Sequence, residues 1–512
     1  MKTLGLPGFA VAAAVSLSAC TTLGPEYKRP EVALPSGYSQ PTFAGAVPDA
    51  WWTAFGDPAL DRLEREALAA NQDVAAAAAR VEEARALLGI ADADRYPEVS
   101  VNASASRTRL SQDTSQLPPG IPLELDRFRV GPSVSYEFDF WGRYRRASEA
   151  ARADLLATAE GQRDVALTLT ADVATAWFDL AALDRQLAIA RGTRGTRGES
   201  VRLQGERYDA GAISELDLAQ AQAELASTEA TVPALERQIR QEEDRLAVLL
   251  GRIGGTIERP APNLPAPIAP AATPTEPNAP VDSNATSAST GPGNASAPLD
   301  SFTLPDVPAG LPSDLLVRRP DLVAAEQRLI AANARIGLAR AAYFPDISLT
   351  ASGGTESREL SNLFGTGTGV WQAALALVQP IFNAHRTRRE VEAATARQKQ
   401  ALAAYTKAIQ TAFADIEDAL AARRTGIAER EALARQVEAL ERAKKLADLR
   451  YEAGESSYLE VLDAERSLFA AQLSLSQARS RELAAGVTLF KALGGGWQVG
   501  AGEGAGAGEG KP

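Results

Sequence analysis

The sequence contains one short turn pattern twice, and this duplication constrains the fold more than any other feature. Residues 207–218 and 450–461 share Arg-Tyr, Ala-Gly, Ser, Leu and acidic positions in register, and each copy lies between two long runs rich in Ala, Leu, Glu and Arg. Gly211 and Gly454 stand where a helix would end, because only a residue without Cβ enters the left-handed region at little cost. The pattern predicts two antiparallel helical hairpins, each with a tight tip.

Ser214 and Ser457 begin the second helix of each predicted hairpin. Each serine is followed three positions later by an acidic residue, Asp217 in the first copy and Glu460 in the second. At this spacing the serine and the acid can form a capping box, in which each side chain accepts a hydrogen bond from the backbone N–H of the other residue. We therefore expect the same cap at both tips.

Alternating apolar and polar residues predict two β-hairpins, one in each half of the chain. The hairpins cover 97–140 and 345–381, and the alternation begins at Val99 and at Ile347. Strands of about 10–13 residues suit a tilted membrane span, and aromatic residues at their ends suit the membrane interface. The alternation by itself fits the half-buried sheet of a soluble protein equally well.

The helical runs have matching lengths in the two halves. Each half contains a run of about 65 residues, one of about 25 (near 71–95 or 320–344) and one of about 39 (near 213–251 or 456–494), judged from their periodicity. The two shorter runs together match the long one, so we expect them to stack end to end beside it. Such a column would be about 100 Å tall.

The number of strands constrains the assembly. One chain supplies four predicted strands, whereas a transmembrane barrel needs at least about eight, and open strand edges are not tolerated in lipid. If the strands span a membrane, several copies of the chain must therefore share one barrel. Strand counting alone leaves two possibilities, because two copies would provide eight strands and three copies twelve.

The N-terminus predicts export and lipidation. Residues 1–19 combine a lysine, an apolar core and small residues, as in a bacterial signal peptide. Leu-Ser-Ala-Cys at 17–20 resembles a lipobox, in which Cys20 receives the lipid. Cys20 is the only cysteine, so the chain has no internal disulfide. No later apolar run reaches about 18 residues, so we expect no transmembrane helix.

Composition excludes several functions. The net charge of −12 argues against a nucleic-acid partner, which selects basic surfaces, and in a pore it would favour cations. His385 is the only histidine, so no histidine-based metal cluster or catalytic triad can form. We therefore expect no enzymatic activity and no cofactor other than the covalent lipid on Cys20.

Five motifs in order, together with the duplicated tip, resemble the outer membrane factor family of the TolC, OprM and NodT type. The resemblance covers the chain from Cys20 to Gly494. It implies a mainly α fold with membrane β-structure: a trimeric twelve-stranded β-barrel with four strands per chain, on a long periplasmic α-helical barrel, with an internal two-fold repeat. The motifs are Gly-Pro-Glu-Tyr-Lys-Arg-Pro at 24–30, Trp-Trp…Phe-Gly-Asp-Pro at 51–58, Phe-Trp-Gly-Arg at 140–143, Leu-Pro-Ser-Asp-Leu-Leu at 311–316 and Arg-Arg-Pro-Asp at 318–321.

The resemblance and the composition together predict the domain organisation. The Pro- and Ala-rich linker and insertion at 252–311 has almost no apolar periodicity, so we expect it to carry no core. The insertion near 265–305 and the Gly-rich tail at 494–512 depart from the family pattern. The glycines in 191–198 predict a weakened or kinked helix. Trp51 and Trp52 are expected to be packing anchors. The predicted parts are a lipoprotein signal peptide (1–19), an N-terminal anchor segment (20–56), a first repeat (57–251), a Pro- and Ala-rich linker and insertion (252–311), a second repeat (312–493) and a disordered Gly-rich tail (494–512).

The function implied by the resemblance is that of a passive, trimeric exit duct in the outer membrane, anchored to it by lipid and extending into the periplasm. An inner-membrane transporter of the RND type would deliver substrate through a periplasmic adaptor protein, and the duct would open by an iris-like shift at its periplasmic tip. The resemblance does not identify the exported substrate, which could be drugs, metals, a signal or a polypeptide.

Acidic residues of the second tip would form the narrow periplasmic aperture. Glu460 and Asp463 are three residues apart, so they can share one helical face, and threefold symmetry would make each a ring. The family's aperture acids match these two positions. The resemblance also assigns Asp217 to the acid that ties neighbouring tips closed, with Tyr451 opposite it, while Ser456 stands at the family's usual basic position. Alternatively, Glu460 only caps its own helix.

The tips would contact the helical hairpins of the adaptor, and the residues expected in this contact are Gly211, Ser214, Gly454 and Ser457. Two other classes of protein fit part of the sequence. A lipid-anchored periplasmic adaptor would have one hairpin flanked by small soluble β domains. A structural coiled-coil lipoprotein would lack the four alternating strands.

Overall fold

The computed structural model describes residues 22–35, 37–38, 48–111, 123–259, 299, 302–305 and 315–496. The chain forms two compact units. Unit 1 comprises residues 1–32, 79–160 and 324–407, and unit 2 comprises residues 33–78, 161–323 and 408–512. The predicted signal peptide, the lipidation site Cys20 and most of the predicted insertion and tail lie outside the described residues.

The helices confirm the internal two-fold repeat. In chain order, α2, α3 and α4 have 22, 67 and 35 residues, and α5, α6 and α7 have the same three lengths in the same order. The α-helices of more than four residues in the described part of the chain are α1 (Pro58–Ala70), α2 (Gln72–Ala93), α3 (Arg143–Asp209), α4 (Glu215–Leu249), α5 (Pro320–Ala341), α6 (Arg386–Glu452) and α7 (Tyr458–Ala492).

Unit 1 contains a four-stranded antiparallel sheet whose spatial order follows the chain. The strands are β1 (Glu98–Arg109), β2 (Glu124–Glu137), β3 (Asp346–Ser357) and β4 (Gly369–Val378). Each predicted hairpin supplies two neighbouring strands, and the pairing of β2 with β3 joins the two repeats. Strands β1 and β4 are the edges, so each has one row of backbone groups without a partner strand.

The N-terminal segment of unit 1 is irregular but bound by specific contacts. Glu326 on α5 is 5% exposed. Its carboxylate accepts a hydrogen bond from the Tyr27 hydroxyl at 2.9 Å and two from the Arg29 guanidinium at 2.7 and 2.6 Å. Asn333 on the same helix donates to the backbone oxygen of Pro25 at 2.8 Å. The Tyr-Lys-Arg motif thus satisfies a buried carboxylate, which would be costly without partners.

In unit 2 the shorter helices meet end to end, as the matching lengths predicted. Asn71 precedes α2, and its Nδ2 donates to the backbone oxygen of Leu249, the last residue of α4, at 2.9 Å. In the second repeat Arg319 precedes α5, and its Nη1 donates to the backbone oxygen of Ala492, the last residue of α7, at 3.1 Å. Both contacts satisfy carbonyl groups that a helix C-terminus leaves without intrahelical partners.

The Ala- and Leu-rich stretch from about 60 to 95 forms two helices, with Asn71 between them. Asn71 has an extended backbone (φ −67°, ψ 133°), and its Oδ1 accepts hydrogen bonds from the backbone N–H of Asp73 at 2.8 Å and of Val74 at 3.2 Å. An asparagine that caps the following helix competes with continuation of the preceding one. Because the run of Ala and Leu continues on both sides of Asn71, the sequence pattern does not indicate this break.

Aromatic residues form a core in unit 2. Trp51 and Trp52 are buried, and Trp51 stacks on Phe490 with ring centroids 5.2 Å apart, which confirms that the tryptophans are packing anchors. Phe302 is also buried, and its ring lies 5.1 Å from that of Phe178. The expectation that the predicted linker carries no core is therefore wrong at its C-terminal end. Periodicity does not detect a single aromatic residue on irregular backbone.

The glycine-containing run at 191–198 does not interrupt α3, which continues through it. Arg197 in this run is buried, and its Nη1 lies 2.6 Å from Oγ1 of Thr228 and 3.2 Å from the carboxylate of Glu224, both on α4. Its guanidinium lies 5.5 Å from the centroid of the Phe469 ring. The predicted interruption of the helix is therefore absent, while each glycine still costs about 1 kcal/mol of helix stability relative to Ala.

One described helix is apolar enough to meet a length and composition criterion for a membrane span. This is Arg143–Asp209, in which an 18-residue stretch has a mean hydropathy of 1.3. The sequence expectation that no such stretch exists is therefore wrong. However, 67% of the stretch is buried within the protein, as in the core helix of a soluble protein. The stretch is weak support for a membrane span.

Candidate functional site

The first tip folds as its sequence predicts. Gly211 has φ 72°, and it donates to the backbone oxygen of Tyr208 at 2.8 Å, while Ala212 donates to that of Arg207 at 2.8 Å. These two bonds define a Schellman motif, which satisfies carbonyl groups at the end of α3. Ser214 then begins α4 with a complete capping box. Its side chain accepts a hydrogen bond from the backbone N–H of Asp217, and the Asp217 side chain accepts one from the backbone N–H of Ser214.

The second tip has the same helix end but a different helix start. Gly454 has φ 75°, and the backbone bonds around it repeat the Schellman pattern. Ser457 has an extended backbone but makes no capping hydrogen bond with its side chain. The Glu460 carboxylate instead accepts a hydrogen bond from Nη1 of Arg450 at 3.1 Å. The capping box predicted here is therefore wrong, because a guanidinium competes with a backbone amide for the carboxylate.

The start of α7 has one buried and one exposed side. Tyr458, Val461 and Leu462 are buried in a cluster with Ala221 of α4. Burial and, secondarily, the charge of Glu465 raise the pKa of Tyr458 above its ordinary value. The buried side of this first turn is therefore mainly apolar.

The two acids predicted for the aperture lie on the other side of the same turn. Glu460 and Asp463 are both exposed, three residues apart on α7, so they share one helical face. The bond of Arg466 to Glu224 raises the pKa of Arg466, and the charge of Asp463 adds a smaller effect in the same direction. The arrangement presents two carboxylates outward from the second tip, one of them paired with Arg450.

Contacts between the two hairpins converge on Tyr451. Its hydroxyl lies 3.0 Å from Nη1 of Arg207, which donates to it, and within 3.2 Å of the Gln204 amide. Asp217 does not take part in this contact within the chain, because its carboxylate accepts hydrogen bonds from the backbone N–H and the hydroxyl of Ser214. Within one chain the structure thus brings Tyr451 to Arg207 and gives Asp217 and Tyr451 separate partners. Sequence reasoning missed Arg207 and Gln204, since nothing local marks residues on α3 as partners of α6.

The two faces of the sheet in unit 1 differ in polarity. On one face Val99 pairs with Val134, and Ile347 pairs with Leu377. On the opposite face the hydroxyls of the paired residues Ser100 and Ser133 lie 2.8 Å apart. Such alternation suits a strand with lipid on one side and water on the other. Exposed apolar side chains of the first face include Val99, Val101, Trp371, Leu375 and Leu377.

Metal binding finds no support in the part of the chain that the structure describes. No group of three or more His, Cys, Asp or Glu side chains there is placed to hold a metal ion. His385, the only histidine, is exposed at the start of α6.

Comparison with known proteins identifies the family. The sequence matches the outer membrane efflux protein family over residues 63–252 and 311–495. The solvent efflux pump outer membrane protein SrpC of Pseudomonas putida is 38% identical over 509 residues, which are 98% of this chain and 99% of SrpC. The probable outer membrane lipoprotein SilC of Salmonella typhimurium is 34% identical over 487 residues, which are 94% of this chain and 96% of SilC.

Solved structures agree with the sequence comparison. The crystal structure of the open state of the Neisseria gonorrhoeae MtrE outer membrane channel matches with a TM-score of 0.77 and 32% identity, covering 93% of this chain and 98% of MtrE. This chain belongs to the outer membrane efflux protein family.

Family membership confirms the main predictions from sequence. The fold is the predicted one, mainly helical with membrane β-structure and an internal repeat, and the protein is an outer-membrane channel that serves as the exit duct of an efflux system. The strands are therefore membrane strands rather than the half-buried sheet of a soluble protein. Neither the periplasmic-adaptor alternative nor the coiled-coil alternative fits a match that covers both repeats.

Proposed function

We propose that three copies of the chain form one efflux duct whose twelve-stranded β-barrel takes four strands from each copy. The observation that carries this proposal is the four-stranded sheet with one apolar face and two edges, β1 and β4, that have no partner strand. Free edges are not tolerated in lipid. Because neighbouring strands are antiparallel, β1 of one copy can continue the sheet beside β4 of the next. The family resemblance favours three copies over two.

The oligomeric state tests this proposal. Native mass spectrometry of protein extracted from outer membranes in mild detergent should give the mass of a trimer, and unboiled samples should migrate as a trimer on a gel. A dimer, whose barrel would have eight strands, or a stable monomer that stays soluble without detergent would contradict the proposal.

The second tips would line the periplasmic aperture of the trimer. Glu460 and Asp463 are exposed on one helical face, so three copies would place two acidic rings there. Replacing both residues with Ala should lower the preference for K⁺ over Cl⁻ in planar bilayers, because fixed negative charge attracts cations. Asp209→Ala, which removes an exposed acid from the first tip, is the matched control. Equal selectivity of the unmodified protein, the double Ala variant and Asp209→Ala would contradict the acidic rings.

The aperture would be a gate. Support comes from the relative MtrE, whose channel has been solved in an open state. We infer an iris-like movement of the α6–α7 tips, with Asp217 and Tyr451 contributing to contacts between neighbouring tips. The duct would be passive, and it would catalyse no reaction and need no cofactor beyond its lipid.

The two tips would dock on a periplasmic adaptor that connects the duct to an inner-membrane transporter of the RND type. SrpC is named as part of a solvent efflux pump, which supports a multi-component assembly. Gly211, Ser214, Gly454 and Ser457 lie on these tips and are exposed. Photo-crosslinking residues at Ser214 and Ser457 should capture the adaptor in intact cells. The same group at Glu83, an exposed position on α2, should capture much less.

A covalent lipid on Cys20 would anchor the duct to the outer membrane. Cys20 is the only cysteine in the chain, and the relative SilC is named as a probable outer membrane lipoprotein. Growth with labelled palmitate should label the protein, and Cys20→Ala should abolish the label. Label that persists in Cys20→Ala would contradict this assignment.

A further inference from the structure

Unit 2 contains an elongated cavity between α3, α6 and α7, separate from the residues of the tips and the aperture. Its volume is about 950 Å³, within the range of pockets that hold drug-sized molecules. Along α7 the lining extends from Glu465 to Arg479, about 21 Å at the helical rise per residue. Apolar side chains line the cavity between these ends, among them Ile189, Ala434, Val437, Leu468, Phe469 and Leu475.

The glycine-containing run of α3 keeps this cavity open on one side. Gly192 and Gly195 line it, and a Cβ built at either position would contact nothing within 4 Å beyond its own turn of helix. Thr193 and Thr196 complete this wall. Larger side chains here would occupy the space, so the glycines that weaken the helix also leave room for another molecule.

The end of the cavity nearer the second tip, its acidic end, has more carboxylates than cations. Nζ of Lys444 lies 2.8 Å from the carboxylate of Asp448 and 3.3 Å from that of Glu465, so one ammonium serves two acids. The Glu465 side chain is only 10% exposed, and its Oε2 is buried without a hydrogen-bond partner among the described residues. Glu441 also lines this end and forms no ion pair within the described part of the chain. A buried carboxylate oxygen without a donor is costly, so this end favours an additional cationic donor.

The opposite end of the cavity is basic, and its charges are engaged with each other. Glu482 is 2% exposed, and its carboxylate lies 2.9 Å from Nε of Arg430 and 2.6 Å from Nη1 of Arg479. Arg185 of α3 lines the same end. The two ends therefore differ in charge, and Arg430 and Arg479 already share a carboxylate.

We propose that this cavity is a binding site for lipophilic organic amines. The apolar body of the ligand lies between α3, α6 and α7, and its ammonium group lies at the acidic end. There it donates a charge-assisted hydrogen bond to Glu465 and supplies the second cation that the pair of acids around Lys444 lacks. An anionic ligand would instead meet Glu441 and Glu465. The cavity is formed by a single chain, so this site depends neither on the proposed trimer nor on the proposed aperture.

Binding of rhodamine 6G, a lipophilic cationic dye, tests the site. The fluorescence anisotropy of the dye is measured with the whole protein in nanodiscs of zwitterionic lipid, and empty nanodiscs are the blank. We expect saturable binding that Glu465→Gln weakens about tenfold, because an amide cannot pair with an ammonium as a carboxylate does. Glu229→Gln is the matched control, since Glu229 is exposed on α4, which contributes no described residue to the lining. Fluorescein, an anionic dye of similar size, should bind no more than to the blank.

Gly195→Leu tests the cavity without changing any charge. The leucine side chain would enter the space beside α3, so it should also weaken binding of the dye. Gly205→Leu is its control, because Gly205 lies on the same helix outside the described lining and also has open space around it. Melting temperatures without dye show that the variants are folded. The dye should raise the melting temperature of the unmodified protein more than that of Glu465→Gln or Gly195→Leu.

Three results would overturn the site. The first is dye binding by the unmodified protein that does not exceed binding by empty nanodiscs. The second is equal affinity in the unmodified protein, Glu465→Gln and Gly195→Leu, which would place the dye elsewhere on the protein. The third is an equal loss of affinity in the control variants at Glu229 and Gly205.

Discussion

Nη1 of Arg450 lies 3.1 Å from the carboxylate of Glu460, so the second tip contains an ion pair where the first tip contains a capping box. The pair joins the end of α6 to the first turn of α7. Its consequence is electrostatic, because Arg450 offsets the charge of Glu460 and leaves Asp463 as the main source of negative charge on that face.

Arg450→Gln should therefore increase the cation selectivity of the channel. Both side chains of the pair are about half exposed (53% and 48%), so the change should cost only about 0.2–1 kcal/mol of stability. Reversal potentials in asymmetric KCl measure the effect. Arg442→Gln is the control, since Arg442 forms a comparable exposed pair with Glu438 along α6. A shift of equal size in both variants would contradict a specific role for Arg450.

Arg319→Ala should destabilise the junction between α7 and α5. Arg319 is buried, and besides its bond to Ala492 its guanidinium pairs with Asp321 at 2.8 Å and with Asp415 at 3.0 Å. Removing it leaves these groups without their cation, which should cost about 2–4 kcal/mol. The melting temperature of the detergent-solubilised protein measures the loss. Arg318→Ala, one residue earlier, should have a much smaller effect.

Glu64→Gln should make the protein more stable at neutral and alkaline pH. Glu64 is 0% exposed, and neither carboxylate oxygen has a hydrogen-bond partner among the described residues. Burial, together with the nearby charge of Asp61, raises the pKa of Glu64 well above its ordinary value of 4.5. The folded state therefore holds its proton more tightly than the unfolded state does.

The sign of the pH dependence follows from that difference. Between the ordinary pKa and the raised folded pKa, the folded state binds more protons, so the free energy of unfolding falls as pH rises, by about 1.4 kcal/mol per pH unit at most. Glutamine cannot ionise, so the gain in melting temperature from Glu64→Gln should be larger at pH 8 than at pH 5. Glu83→Gln, an exposed change on α2, should show no such trend. A gain of equal size at both pH values would contradict the buried-proton account.

His385→Gly should stabilise the protein. His385 immediately precedes α6 and has φ 65°, a left-handed conformation that side chains rarely adopt. Gly142 immediately precedes α3 in the first repeat, with φ 76°. The change should therefore gain about 1 kcal/mol by relieving backbone strain. The reverse change Gly142→Ala should destabilise, because its Cβ would lie 2.7 Å from the side chain of Thr22. Melting temperatures that do not move in opposite directions would contradict this account.

Much of the candidate site could be predicted because its signals are local. Gly211 and Gly454 end helices through a backbone conformation that glycine adopts at little cost, and the structure shows φ values of 72° and 75° there. The strand alternation that begins at Val99 and Ile347 likewise appears as paired strands with one apolar face. Because the two shorter runs together match the long one in length, end-to-end stacking of the shorter helices was predicted, and the bond from Asn71 to Leu249 at the end of α4 agrees with it.

The sequence by itself determined the repeat, the two tips and the strand hairpins, because each depends on the conformational preferences and periodicity of neighbouring residues, and it indicated the family through motifs that resemble those of known members. Only the tertiary structure decided which partner each charged group takes. Glu460 could cap its helix or bind Arg450, and Tyr451 could face Asp217 or Arg207, and the choice depends on which side chains the packed helices bring within about 3 Å of each other. Residues distant in the chain make those contacts, so no local pattern encodes them.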